Sequence, residues 1–271
     1  MPGEDTWPTQ PFPTYPPPFA RQTFTEKDLS PFIEDPAERA HFLNEIRSAR
    51  NEGMFTPPNT KGTIQMPGNN GGSNFSGAAI DPARGLMFVV SKDYPALLKL
   101  VAPKASSGSS NGDDPRTIQY RSSFGFMVTS SGLSAIAPPW TTMTAYDLNT
   151  GNIKWQIPLG DIPELAAKGI RNTGSHYPKI GPVVTASGLI FTGARDRVVR
   201  VLDADNGKEL WKTEVAAGIE GIPAIYQVNG RQFVVYCAAA RSTTKMHASP
   251  WGPASSDPIA GAYVAFALPA N

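Results

Sequence analysis

The chain has one cysteine, Cys237, among 271 residues. A single thiol excludes an intrachain disulfide, a thiolate metal cluster and a Cys-x-x-Cys-His haem attachment, and it fits a reducing or an oxidising compartment equally. Nor is there an excess of either charge: 24 Lys and Arg face 23 Asp and Glu, for a formal charge of +1. Without a basic block or stripe, a nucleic-acid polyanion is not the expected partner. No run of 18 apolar residues is present, so no membrane-spanning helix is expected. The opening "MPGEDTWPTQPFPTYPPPF" lacks the basic and apolar regions of a signal peptide. Histidine is scarce too: His41, His176 and His247 read as surface or loop-packing residues rather than catalysts. What is abundant is glycine (25) and proline (27) beside an apolar content of 40%, the composition of a folded chain with many tight turns.

Residues 1–20 are proline-rich, with Pro16, Pro17 and Pro18 in succession. Such a segment is extended, lacks backbone donors and reads as a strap on a domain surface. Residues 25–52 have helical signals: Thr25 as N-cap with Asp28 at the box position, Phe42, Leu43 and Ile46 on one stripe, and Gly53 as a stop. A helix, or a kinked pair interrupted near Pro36, is expected there. From residue 63 short apolar runs alternate with Gly and Asn-Gly turns, including Asn206-Gly207 and Asn229-Gly230, the signature of antiparallel hairpins. About eleven strands are expected, with a polar loop over 102–123. The chain thus divides into a strap and helical segment, 1–62, and a β region, 63–271.

Within the β region the skeleton Asp-x-x-x-Gly-x-x-x-Trp occurs twice. "YDLNTGNIKW" places Asp147, Gly151 and Trp155 where "LDADNGKELW" places Asp203, Gly207 and Trp211, 56 residues later. A third, weaker copy keeps Asp81 and Gly85 without the tryptophan. The aspartate can accept backbone N–H groups of the turn it opens, and the glycine supplies a left-handed position. The tryptophan then presents a flat apolar surface to a neighbouring sheet. A four-stranded antiparallel sheet cannot bury both faces alone, so units of this kind stack as propeller blades.

This repeat resembles the tryptophan-docking motif of quinoprotein dehydrogenases, which carry pyrroloquinoline quinone (PQQ) in an eight-bladed propeller. The strap with "FARQTFTEKDL", the stretch "GTIQMPGNNGGSNFSGAAIDPARGLMFV" and the closing "GAYVAFALP" are similar to the glucose dehydrogenase type. The resemblance implies an all-β fold, a partial β-propeller of about three four-stranded antiparallel blades with an N-terminal strap and short helical insertion. It implies the C-terminal portion only of such an enzyme, with the general base, the Ca²⁺ ligands and the tryptophan under the quinone in blades outside this chain. The activity implied is oxidation of a sugar or alcohol, with electrons passing from PQQ to a quinone or cytochrome in the periplasm. The remaining blades become partners, and the chain alone is expected to be inactive.

Residue by residue, Asn69 matches an asparagine placed near the quinone, where its amide can donate to a carbonyl or accept from a ring N–H. Asn74 and Phe75 follow in the same stretch; Phe75 stands where the family often has tryptophan, keeping an aromatic face without the indole donor. Asp196 matches an acidic residue at the pocket end of a strand, suited to a cation or to substrate hydroxyls. For Asn69 and Asp196 the alternative is a turn residue capping its own backbone. Arg241 replaces a histidine of the glucose type, which turns the expectation from glucose towards an acidic or otherwise polar substrate. A different class of function, a non-catalytic propeller scaffold, has no need of the "PGNNGG…DP" segment or the strap. Self-association through exposed blade faces is a third possibility.

Overall fold

The computed structural model describes residues 9–74, 77–101, 120–176, 178–239 and 260–268. Fourteen strands lie among them. They are β1 (Thr63–Gln65), β2 (Ala78–Asp81), β3 (Leu86–Lys92), β4 (Ala96–Val101), β5 (Arg121–Phe126), β6 (Thr141–Asp147) and β7 (Ile153–Pro158). Then follow β8 (Val183–Val184), β9 (Leu189–Gly193), β10 (Val198–Asp203), β11 (Glu209–Glu214), β12 (Ile219–Val228), β13 (Arg231–Ala238) and β14 (Ala262–Ala267). Every strand pairing is antiparallel.

Three sheets follow one another as blades, in the orders β2-β3-β6-β7, β8-β9-β10-β11 and β12-β13-β14. Successive blades meet through their early strands: β2 lies against β8, and β8 and β9 lie against β12. The fourth sheet, β1-β4-β5, stands outside this succession, because β4 and β5 are inserted between the second and third strands of the first blade. Eleven strands therefore belong to blades, and the side sheet is an addition to the pattern expected from the sequence. Part of the region expected as a polar loop is strand, since β5 begins at Arg121; residues 102–119 lie outside the described ones.

The two copies of the repeat fold alike, bond for bond. Gly151 N donates to Asp147 O (2.6 Å) as Gly207 N does to Asp203 O (2.8 Å). The aspartate side chains accept from Asn149 N (2.8 Å) and Asp205 N (2.7 Å), two residues on in each case. Both glycines hold positive φ, +71° and +72°, where a side chain would be strained. In both copies the register shifts just before the tryptophan, so Trp155 pairs with Ala145 and Trp211 with Val201. The third copy is different: Asp81 and Gly85 form the β2–β3 turn of the same blade that carries Trp155, so they do not mark another blade. Asn229 and Gly230 turn β12 into β13 with φ of 49° and 76°, two successive left-handed residues as a type I′ hairpin needs.

Two cores result. Phe88, Val90, Met143, Ile190, Val199 and Ile219 fill the spaces between blades. A second core joins Phe24, Leu29, Phe42 and Ile46 of the N-terminal segment to Ile64, Tyr94, Ile136 and Trp140, so residues on both sides of position 62 share one apolar interior. In place of a continuous helix or a kinked pair, a 3₁₀ turn (Glu26–Asp28) is separated from α1 (Pro36–Ser48). Pro36 opens α1 rather than interrupting it, since an N1 proline loses no helical bond, and Asp35 caps it by accepting from Ala37 N at 2.9 Å. Nor does Gly53 stop it. The helix ends at Ser48 because Arg50 leaves to bridge β1, donating to Gly62 O and accepting from Ile64 N. A short helix, α2 (Pro163–Ala166), lies in the connection between the first two blades. No helix of the described residues is long and apolar enough to cross a membrane.

Candidate functional site

Alternating strand direction sorts the connections to two ends. The repeat turns 148–152 and 204–208 lie at one end, with the β2–β3 and β8–β9 turns. At the other lie the segment 66–77 that leads into β2, the start of the insertion after β3, and the links β7–β8, β9–β10 and β11–β12. Asn69, Asn74, Asp196 and the buried Lys92 all belong to this second end.

Segment 66–77 is held from three sides. Tyr94 N donates to Pro67 O (3.0 Å) and Lys92 N to Gly72 O (2.9 Å), fastening it to the end of β3. Gly68 (φ +124°) lies so close to the Tyr94 carbonyl that no side chain fits. Gly72 is backed by Ala20 and Phe19 of the strap, whose atoms would lie 2.7 and 3.2 Å from an added Cβ. At its far end a Cβ on Gly77 would meet Ile222 of β12 at 3.3 Å, so the segment reaches the third blade. Asn69 and Asn74 are exposed on it. Phe75 and Arg241 lie outside the described residues, as does His247.

Asp196 sits in the β9–β10 turn with its side chain 6% exposed. Its carboxylate accepts from Val198 N and Asp161 N, both at 3.1 Å, and forms an ion pair with Arg200, whose Nη1 donates at 3.1 Å. Arg200 also approaches Glu209 at 3.4 Å. The carboxylate thus ties two connections of the loop end together, and its accepting positions are taken up by this chain. Beside it Arg195 pairs with Glu220 of β12. Asp196 and Asn69 line no common cavity among those described.

Sequence reasoning missed Lys92. It ends the apolar run of β3 only 2% exposed, on the sheet face it shares with Phe88 and Val90. Burial lowers its pKa to about 8, because the ammonium is costly to desolvate. The signal that could have found it is a lysine closing an otherwise apolar strand. Next to it Asp93 points the other way, to Arg21 of the strap at 2.7 Å. Burial pushes the Asp93 carboxyl up and Arg21 partly offsets this. His176 is buried in the β7–β8 link, whereas His41 is exposed on α1, 3.5 Å from Glu45.

The largest cavity described, about 680 Å³, runs between the strap and the first blade. Pro16–Pro18, Phe19, Met66, Met87, Tyr146 and Asn69 contribute to its walls, and no charged side chain does. PQQ is a planar quinone with three carboxylates, so the apolar length of this groove along the strap does not suit it; of its walls, only the exposed Asn69 also belongs to the loop end as a side-chain amide. The residue types of the loop end do suit PQQ: amides on segment 66–77 match carbonyl oxygens, and Lys92 matches a carboxylate. Among the described residues no three or more His, Cys, Asp or Glu side chains converge as a metal site would require.

The whole of residues 1–234 matches the family described as PQQ: Glucose/ethanol/alcohol dehydrogenase, beta-propeller domain. Quinate/shikimate dehydrogenase (quinone) of Acinetobacter baylyi is 30% identical over 266 residues, which cover 91% of this chain and 33% of that protein. Quinoprotein glucose dehydrogenase of Escherichia coli is 30% identical over 216 residues, covering 73% and 27%. This chain spans about a third of the length of the curated relatives it matches. Among solved structures, the quinohemoprotein alcohol dehydrogenase of Comamonas testosteroni superposes with a TM-score of 0.52 at 17% identity, over 77% of this chain and 28% of that one, which supports the propeller fold. The repeat turns, the blade order and the match over residues 1–234 lead to one conclusion: the chain belongs to the PQQ-dependent glucose/ethanol/alcohol dehydrogenase family and is built from its β-propeller.

Proposed function

We propose that this chain supplies the C-terminal blades of a periplasmic PQQ dehydrogenase that oxidises a sugar, an alcohol or a polyhydroxy acid and delivers electrons to a quinone or cytochrome. The observation that supports it most is the match over residues 1–234 to PQQ dehydrogenases. The quinate relative, the glucose relative and glycerol dehydrogenase large subunits resemble the chain about equally, which supports a polyhydroxylated substrate and no narrower class. When bound, PQQ supplies a two-electron acceptor. In this reading Asn69 and Asn74 would present amide donors to its carbonyl oxygens, and the buried Lys92 would balance a carboxylate. By residue type alone, Arg241 favours an anionic substrate. Asp196 acts indirectly, by holding the β9–β10 turn against residue 161. The general base and the Ca²⁺ ligands belong to the rest of the propeller.

The test has two arms. PQQ and Ca²⁺ are added to the 271-residue chain alone and to the full-length enzyme, and dye reduction is followed. Turnover is expected only from the full-length enzyme, and robust turnover by the chain alone refutes the partial-propeller reading. In the full-length enzyme Asn69→Ala is expected to weaken PQQ binding by about tenfold, the loss of one good hydrogen bond. Unchanged PQQ affinity would remove Asn69 from the site.

A further inference from the structure

The glycines of the two repeat turns each receive an aromatic ring, but from different kinds of partner. At Gly207 the ring is Trp155 of the preceding blade: a Cβ there would lie 2.9 Å from its indole, and Trp155 Nε1 donates to Ala204 O of the same turn at 3.0 Å. At Gly151, which has the same φ within a degree, the ring is Tyr15 of the proline-rich strap. A Cβ on Gly151 would collide with that ring, and the Tyr15 hydroxyl donates to Thr150 O of the same turn. The strap beyond Tyr15 is then fastened along this one blade. Tyr146 Oη donates to Pro17 O (2.5 Å), Gln156 Nε2 and Ser91 Oγ donate to Phe19 O (3.0 and 3.2 Å), and Arg21 pairs with Asp93.

We propose that Tyr15 is the docking aromatic of the first blade, so that the strap takes at Gly151 the place a tryptophan from a preceding blade takes at Gly207. The residue chemistry supports this assignment. A phenol, like an indole, offers a flat apolar ring with one donor at its edge, and both seats use the ring against glycine and the donor against a turn carbonyl. A strap rich in proline loses little conformational entropy on docking and has few backbone donors to satisfy, so one aromatic anchor can hold it. Seating also has a consequence at the other end of the blade. Phe19 and Ala20, four and five residues on, form the wall behind Gly72, so the anchor at Gly151 steadies the segment that carries Asn69.

The proposal is tested in the full-length protein by trypsin cleavage after Arg21 and by hydrogen exchange of residues 19–22. Tyr15→Ala is expected to speed cleavage by about tenfold, the factor that ~1.4 kcal/mol of lost contact produces when opening precedes cutting. Tyr15→Trp is expected to stay near the parent rate, since the equivalent seat accepts an indole. Gly151→Val, which blocks the seat, should match Tyr15→Ala, whereas Gly207→Val should leave the strap protected. Parent-like cleavage of Tyr15→Ala overturns the proposal and would mean that another aromatic fills the seat. Tyr15→Trp cleaved as fast as Tyr15→Ala overturns it equally. Tyr15 is 50% exposed, so its variants keep the blades folded even where Gly151→Val does not.

Discussion

Truncating Trp155 to alanine removes one of the contacts that join the first blade to the second. The indole is only partly exposed, lies against Gly207, and has its ring centroid 5.8 Å from that of Phe88. Losing about 100 Å² of buried apolar contact costs ~2.5 kcal/mol at about 25 cal/mol per Å². The hydrogen bond to Ala204 O adds about 1 kcal/mol, less what a compact denatured state already retains. A loss of ~3 kcal/mol is therefore expected, equivalent to roughly 6–12 °C in Tm for a domain of this size. Trp155→Phe keeps a ring on the glycine but not the donor and should lose only ~1 kcal/mol. Urea unfolding followed by far-UV circular dichroism measures the total, and hydrogen exchange of residues 204–208 reports where the loss falls. Trp211→Ala is the internal comparison. Trp211 is 44% exposed and meets Phe266 edge-on at 5.5 Å, so its removal should cost clearly less. The reasoning fails if Trp155→Ala stays within ~1 kcal/mol of the parent, or if Phe and Ala at this position are equally damaging.

Two further outcomes follow from single groups. The folded-state pKa of Lys92, about 8 against an ordinary 10.5, means that the unfolded chain binds more protons between these values. Its contribution to stability should therefore rise with pH from 8 to 10.5, and in urea titrations across this window Lys92→Met should show a smaller rise than the parent. A difference of the opposite sign would place the lysine in an environment that favours its charge. At the start of α1, Asp35→Ala removes the cap on Ala37 N and should cost about 1 kcal/mol, seen as faster hydrogen exchange in the first turn; Asp35→Ser should restore most of it.

The blades were legible because their turns are written locally. Asp147 and Asp203 need only accept from an amide two residues away, and Gly151 and Gly207 need only supply positive φ, so five neighbouring residues suffice to announce each turn. Asn229-Gly230 was readable for the same reason. The helical segment was half legible: Phe42 and Ile46 face the core as their spacing requires, but the end of α1 depends on Arg50 being drawn onto β1, a pairing that its own neighbours do not encode. The side sheet escaped notice because Thr63–Gln65 pairs with residues 96–98, more than thirty positions on. At the site, residue type alone left Asp196 open between ligand contact and turn cap. Its buried pairing with Arg200 and its hold on Asp161 N are what engage the carboxylate.

By itself, then, the sequence determined the all-β class, the turns and the kinship with PQQ dehydrogenases, since each rests on short contiguous patterns. Only the tertiary structure decided that Lys92 is buried, that segment 66–77 is held between strap and blade, and that Tyr15 lies on Gly151. Those outcomes depend on which faces of distant segments bury one another, and Tyr15 meets a carbonyl 135 residues away. Burial is non-directional and acts wherever surfaces fit, whereas a turn is set by the few dihedral angles of its own residues.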